Sequence, residues 1–480
     1  MDQVVIGVDS STQSTKAAVV DAASGRLLAV GRAAHTVSGE AGARESDPTS
    51  WWGALADAVA AGLAQSGAGG HAVTGIAVAG QQHGLVVLDG AGRPLRPALL
   101  WNDTRSAPQA AALTARLGVP EWLERTGSVP VASMTASKWQ WLRENEPHTA
   151  DAAAAVRLPH DFLTERLAGV AATDPGDASG TCWYNTATGA YDPRLLELLG
   201  LDTALLPTVA ATGAARVGSL TASAAAALGL PEGIAVAAGT GDNMAAAVGL
   251  GLGGAGLLDH PVVSLGTSGT VFAATRARPA VAALAGFAAA DGTYLPLGCT
   301  LNCTLAVDRV AELLGLDRED AVPGGEAVLL PYLDGERTPD LPGAAGLLTG
   351  LRHATTSRQL LGAAYEGAVF TVLRALDALP GPVDADAPLR LIGGGAQGRM
   401  WVETVRRLSG RPVVLPRSTE LVALGAAALA AGAATGEDPV AVATAWRTGE
   451  GETLAPVERD HATWDRVSAT LDRAVPALLT

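Results

Sequence analysis

The chain has 480 residues, 48% of them hydrophobic, and a formal net charge of -15. That length accommodates two large α/β domains, each with a core of its own. The acidic balance excludes a nucleic-acid scaffold, which needs a basic face for phosphate backbones, and three cysteines exclude a disulfide framework. Cys299 and Cys303 have no second Cys/His pair to complete a metal site, so they read as packing residues. No basic leader opens the sequence, and the apolar stretch 421–435 falls short of the ~20 residues of a membrane span. The expected location is the cytoplasm, with neither a membrane nor a nucleic-acid partner. The two lysines, Lys16 and Lys138, do not follow a glycine, so no P-loop of the Gly-Lys-Ser/Thr type is present.

In chain order, β-branched runs at 3–8 and 16–21 predict two strands around the polar turn Asp9-Ser10-Ser11-Thr12-Gln13-Ser14-Thr15. A helix is expected over 48–65, capped by Asp47 and with apolar spacing through Trp52, Leu55, Val59 and Leu63. Strands at 72–79 and 85–88 flank Gly80-Gln81-Gln82-His83-Gly84 and read as a second hairpin. The pattern then restarts. A strand at 234–238 leads into Gly239-Thr240-Gly241-Asp242-Asn243 and a helix from Met244, and strands at 261–265 and 270–274 flank Gly266-Thr267-Ser268-Gly269. Later come a strand at 389–392, the turn Gly393-Gly394-Gly395-Ala396, and helices over 398–409 and 420–431. The stretch Val263 to Thr270 echoes Val8 to Thr15, which predicts an internal duplication with domains 1–238 and 239–480.

Turns of Gly, Ser and Thr let backbone N–H groups and hydroxyls converge on an anion, so a matched pair suits a nucleotide's phosphate chain. Either turn alone is also an ordinary hairpin connection. Asp9, just before the first turn, is a candidate anchor for a magnesium ion. Asp242 reads either as the cap of the helix from Met244 or as a general base drawing a proton from an attacking hydroxyl, and the two roles are compatible. Gly393 to Gly398 formally matches a dinucleotide fingerprint, but it sits late in the chain, and Glu420 begins a helix where that fold needs an acid after a strand. Glycines that admit an adenosine face explain the turn equally well. Gln82, His83, Trp101, Asn102, Asp103 and Arg105 form a polar, indole-containing set suited to a sugar. His83 also reads as a buried structural histidine, and Trp139 and Trp141 read as core.

At these residues the chain resembles the FGGY carbohydrate kinases from about residue 4 to 436. Two extended signatures carry the likeness. One runs from Ser133 to Asn145 with Thr135, Lys138, Trp139, Trp141 and Leu142 in place. The other runs from Gly346-Leu347-Leu348-Thr349-Gly350-Leu351 through Gln359-Leu360 to Ala363-Ala364-Tyr365-Glu366. The resemblance implies an α/β fold of two ribonuclease-H-like domains, of the actin and hexokinase type, with a cleft between them, and ATP and Mg2+ as cofactors. It implies that Asp242 is the catalytic proton acceptor, with Asp9 as its partner at the metal. Thr12 and Gln13 would form the first phosphate turn, Gly266, Thr267 and Ser268 the second, and Gly394, Gly395 and Ala396 the adenosine turn. Gln82, His83, Trp101, Asn102, Asp103, Asp242 and Asn243 would bind the substrate. Gly80-Gln81-Gln82-His83-Gly84 and Leu100-Trp101-Asn102-Asp103-Thr104-Arg105 are similar to the branch of the family that phosphorylates xylulose, and Gln82-His83 is unlike the Arg-Glu of glycerol kinases. The chain departs from the family pattern at Ser10-Ser11 before Thr12, where a glycine is common. Expected partners are a small sugar, ATP and a second copy of the chain. A kinase for another ketose or polyol, and a non-catalytic actin-fold sensor, are the competing readings.

Overall fold

The computed structural model describes residues 3–339, 341, 343–379 and 387–478. It divides into two compact units, one of residues 1–258, 274–295 and 420–449, the other of residues 259–273, 296–419 and 450–480. Among the described residues no helix is long and apolar enough to cross a membrane.

In the first unit, β1 (Val4–Ser10), β2 (Ser14–Asp21) and β3 (Leu27–Ala34) form an antiparallel meander. Helix α1 (Pro48–Ser66) follows, its N-cap Asp47 accepting the Thr49 N–H at 2.9 Å as the sequence predicts. The chain then returns as β4 (Val73–Gly80), parallel to β1. With β5 (Arg216–Ser219) and β6 (Ala235–Ala237) the sheet runs β5-β6-β4-β1-β2-β3, and Thr240–Gly241 also pairs with β4. Strand β1 is buried along its whole length because both of its faces are covered. Val4, Ile6 and Val8 join Val78 and the Trp51, Leu55 and Val59 side chains of α1 in one core. The other face is held by the helix Leu421–Thr435, which comes so close that a Cβ at Gly7 would collide with the Ala423 carbonyl. Helix α2 (Asp242–Gly249) packs against that same helix, where a Cβ at Gly425 would strike the Ala245 carbonyl.

Three sequence expectations change here. The segment Val86–Leu88 does not form a hairpin with β4; it pairs with Ala155–Arg157, because both edges of β4 are already taken by β1 and β6. Strand β3 went unpredicted, since Leu-Leu-Ala-Val-Gly-Arg-Ala-Ala is rich in small residues with weak strand preference. Helix α2 begins at Asp242 rather than Met244.

The second unit contains β7 (Val262–Leu265), β8 (Gly269–Phe272), β9 (Tyr294–Thr300) from Pro296 onward, β10 (Leu389–Ile392), β11 (Val413–Pro416) and β12 (Gly451–Leu454), in the order β9-β8-β7-β10-β11-β12. Its pairings run antiparallel, antiparallel, parallel, parallel, antiparallel. Read from β3 to β5, the first sheet shows the same succession. The duplication foreseen from an eight-residue echo is therefore a repeat of a whole strand topology. The core of this unit centres on the helix Ser357–Leu376, with Tyr365, Phe370, Tyr332 and Trp401 buried around it.

Candidate active site

Three parallel strand ends lie side by side in the first unit. Asp9 and Ser10 of β1 are register partners of Ala79 and Gly80 of β4, and on the other edge of β4 Thr240 and Gly241 pair with the same two residues. Asp242 follows directly, so Asp9 and Asp242 flank the end of β4. Carboxyl ends of parallel strands are where α/β sheets collect ligands.

Asp9 is buried, with the Lys16 ammonium 3.6 Å away. Burial outweighs that cation and pushes its carboxyl up to about 6. Lys16 itself donates to Glu420 Oε2 at 2.9 Å, and Glu420 also receives Arg32. Asp242 is half-buried and its carboxyl is pushed up to about 7, by burial first and then by the negative charge of Asp9. It is not the cap of α2, a place held by Gly241. Instead, Oδ1 accepts the Asn243 backbone N–H at 2.8 Å and Asn243 Nδ2 at 3.0 Å, and Nδ2 also donates to Gln82 Oε1 at 2.9 Å. Asn243 thus ties the carboxylate to Gln82 through Oδ1, and among the described residues no hydrogen bond falls on Oδ2.

The negative charge of Asp9, which raises the proton affinity of Asp242 across the end of β4, fits a hard divalent cation, which would discharge that repulsion. No group of three potential metal ligands occurs among the described residues. Magnesium characteristically takes one or two carboxylates and completes its shell with water and phosphate, so Asp9 and Asp242 suit it.

In the first turn, Ser11 sends both its N–H and its hydroxyl to the Ser14 carbonyl, at 3.0 and 2.9 Å, and Gln13 stands exposed at the tip. The Trp101 indole, 37% exposed, donates to Thr12 Oγ1 at 3.0 Å. A residue expected to line a sugar site thereby meets the turn expected to receive phosphate. His83 is buried at φ 65°, its ring 5.4 Å from that of Phe287. Asn102 Oδ1 is buried without a partner among the described residues, as is Gln82 Nε2. Asp103 differs from these. It accepts the Arg44 N–H at 2.9 Å and pairs with the Arg105 guanidinium at 2.6 Å, contacts that hold its carboxyl below the usual range although burial opposes them. It anchors the 101–105 loop. Trp141, read as core, is half-buried and carries the Arg105 and Arg96 guanidinium groups 4.6 and 5.7 Å from its ring. Glu45 receives both arginines.

Sequence reasoning missed a charge network beneath this site. His160 Nδ1 lies 2.7 Å from Asp177 Oδ2 and Nε2 lies 3.3 Å from Asp161 Oδ1, all fully buried. Asp174 accepts the Asp177 N–H at 2.9 Å and the Thr240 hydroxyl at 2.7 Å, which ties the network to the strand end that carries Asp242. The available signal was His160-Asp161 and Asp174-Pro175-Gly176-Asp177 within a run of small and apolar residues.

In the second unit, Gly266 O accepts the Thr304 N–H and hydroxyl at 3.0 and 2.8 Å, and Gly266 N–H closes the turn on Ser268 O at 3.1 Å, leaving Thr267 exposed. Gly394–Gln397 forms a 3-10 turn at the end of β10. A Cβ at Gly395 would come within 2.7 Å of Leu265 Cβ and 3.1 Å of Thr304 Cγ2, whereas one at Gly394 would meet nothing within 4 Å. The turns at 266–269 and 393–396 are therefore neighbours built on Leu265 and Thr304, with open space above Gly394.

Residues 4–249 match the N-terminal domain of the FGGY family of carbohydrate kinases and residues 262–434 its C-terminal domain. The chain is 58% identical to a xylulose kinase of Streptomyces rubiginosus over 481 residues, covering 99% of this chain and 97% of that protein. It is 33% identical to a xylulose kinase of Escherichia coli (strain K12), with 90% of each chain covered. The crystal structure of xylulose kinase from Bifidobacterium adolescentis superposes with a TM-score of 0.82 at 33% identity, over 98% of this chain and 99% of that one. With both of its family domains matched in order along the sequence and the same duplicated sheet in each unit, this chain belongs to the FGGY family of carbohydrate kinases.

Proposed function

We propose that the chain transfers the γ-phosphoryl group of ATP to the terminal hydroxyl of D-xylulose, giving D-xylulose 5-phosphate. The observation that most supports this is the Asp242 carboxylate, oriented through Oδ1 by Asn243 and raised to about 7 by burial beside Asp9. A group with that proton affinity serves as a base near neutral pH. Oδ2 takes the proton of the sugar hydroxyl as its oxygen attacks phosphorus, and the β–γ bridging oxygen leaves with ADP. Gln82, His83, Trp101, Asn102 and Asn243 hold the sugar. The unpartnered Gln82 Nε2 and Asn102 Oδ1 offer one donor and one acceptor to its hydroxyls, and Asp103 keeps the loop in place. Thr12 and Gln13 receive phosphate oxygens, as do Gly266, Thr267 and Ser268, while Gly394, Gly395 and Ala396 accommodate adenosine. Asp9 and Asp242 would hold Mg2+, which would supply charge neutralisation on the phosphates. The cytoplasm, which furnishes ATP, is the expected location.

Coupled ADP-release kinetics with D-xylulose, L-ribulose, D-ribulose and glycerol test the assignment. D-Xylulose is expected to give the highest kcat/KM by about 10-fold or more, since a misplaced hydroxyl leaves buried partners unpaired. A higher value for another sugar reassigns the substrate.

The pH profile is a second expectation. The base works ionised, so kcat/KM falls as pH drops through about 7, the position of the Asp242 carboxyl. A Mg2+ ion coordinated at the carboxylate would favour its ionised form, so the acid limb lies at lower pH at saturating than at limiting Mg2+. Coincident limbs, or an acid limb near 4, would contradict this.

A further inference from the structure

Gln81 is 1% exposed, and neither its Nε2 nor its Oε1 has a hydrogen-bond partner among the described residues. A buried primary amide with both ends unpaired is costly, and a fold retains one where a ligand completes it. Strand register locates the side chain. Partners in a parallel ladder share a sheet face, so Asp9 and Ala79 lie on one face, where Ala79 packs on Ala245 of α2 and on Ala426. Gln81 stands two residues beyond Ala79, and its N–H still bonds to Ser10 O at 2.9 Å, so it continues that face past the strand end. It thereby occupies the end of the middle strand, with Asp9 at the end of one neighbour and Asp242 just after the end of the other. Gln82 falls on the alternate face and is committed through Oε1 to Asn243. The two adjacent glutamines thus face different surroundings.

We propose that the Gln81 amide is a phosphoryl-binding group, with Nε2 donating to an equatorial oxygen of the phosphoryl group as it passes from ATP to the sugar hydroxyl. This rests on the phosphoryl transfer proposed above. A neutral donor suits the position, because Asp9 and Asp242 already stand on either side of it and a third acid there would repel phosphate. The amide forms no bond to phosphorus and moves no proton. It stabilises charge that spreads over the equatorial oxygens in the transition state.

The test is Gln81→Met, which keeps shape and removes both polar atoms. Wild-type turnover of D-xylulose is measured first, so that failure of the substrate assignment is seen separately; the variant is then compared with whichever sugar drives ADP release. We expect kcat and kcat/KM to fall together by about 10²-fold, the usual effect of losing one such donor. Affinity for ADP with aluminium fluoride, a mimic of the phosphoryl group in flight, falls by a similar factor, while affinity for ADP alone and the sugar KM stay within about 3-fold. The thermal midpoint holds or rises, because an isosteric apolar side chain relieves an unpaired amide. Turnover within about 3-fold of wild type overturns the proposal and leaves Gln81 as a site for buried water. A loss expressed wholly in the sugar KM overturns it too, by placing the amide on the substrate. If Gln81→Met does not fold, Gln81→Asn, which withdraws the amide by one methylene, is read by the same criteria.

Discussion

Replacing Asp242 with Asn lowers kcat by about 10²- to 10⁴-fold, the range expected for loss of a general base. D-Xylulose and ATP still bind, because the amide keeps the shape of the carboxylate and the sugar retains Gln82, His83 and Asn102. The same variant is more stable than wild type in alkaline buffer. In the folded protein the Asp242 carboxyl sits at about 7, raised from 3.8 by burial and by Asp9. A carboxyl raised in the folded state contributes stability that is complete below about 3.8 and declines as pH climbs through about 7. The Asn side chain bears no such charge. Thermal midpoints of variant and wild type should therefore differ most above pH 7 and converge toward pH 4. Turnover close to wild type removes Asp242 from the base role, and a variant that melts lower at pH 8 removes the electrostatic argument.

The second large effect is on folding. Burial alone would strip the proton from His160, but the charge of Asp161 and the hydrogen bond that Nδ1–H donates to Asp177 reverse this and hold the imidazolium up to about 9. Around it, burial pushes Asp161 and Asp174 each up to about 6. His160→Leu leaves three buried carboxyls without their cation, at a cost of about 3–5 kcal/mol. Urea unfolding should show a lowered midpoint with an unchanged slope. His160→Leu/Asp177→Leu should recover part of the loss, since a matched apolar pair strands less charge. The pH sign is fixed by the raised histidine. Its stabilisation is complete below about 6.5 and fades as pH rises through about 9, so the gap between variant and wild type closes in strong alkali. A variant as stable as wild type would mean that the network carries no net stabilisation. Activity responds as well, because Asp174 holds Thr240 two residues before Asp242.

Local features were legible in the sequence where a short stretch contains its own explanation. The two hydroxyl-rich turns, the Asp47 cap and the Leu389–Ile392 strand fall where composition places them. The Gly-Asp-Asn that delivers Asp242 was visible as chemistry, although its cap role dissolved once Gly241 took that position. Pairings distant along the chain stayed hidden. Nothing around Val86–Leu88 announces a partner at Ala155–Arg157. Glu420 carries no local mark of its engagement with Lys16 across 404 residues of sequence, and His160 reads as an ordinary apolar-run histidine until Asp161, Asp174 and Asp177 are brought around it. Gln81 and Gln82 are identical letters side by side, separated in role only by the alternation of a strand that must first be paired.

The helix Leu421–Thr435 lies on β1, whose first residues leave the ribosome more than 400 positions earlier. At roughly 5–20 residues per second, synthesis keeps that sheet surface waiting for tens of seconds. Throughout that interval the nascent N-terminal sheet has one apolar side bare, and the carboxylate of Glu420 has yet to reach Lys16 and Arg32. Truncated or stalled chains are thus inactive and adhesive by construction, and chaperone demand during translation should track the arrival of this one late segment.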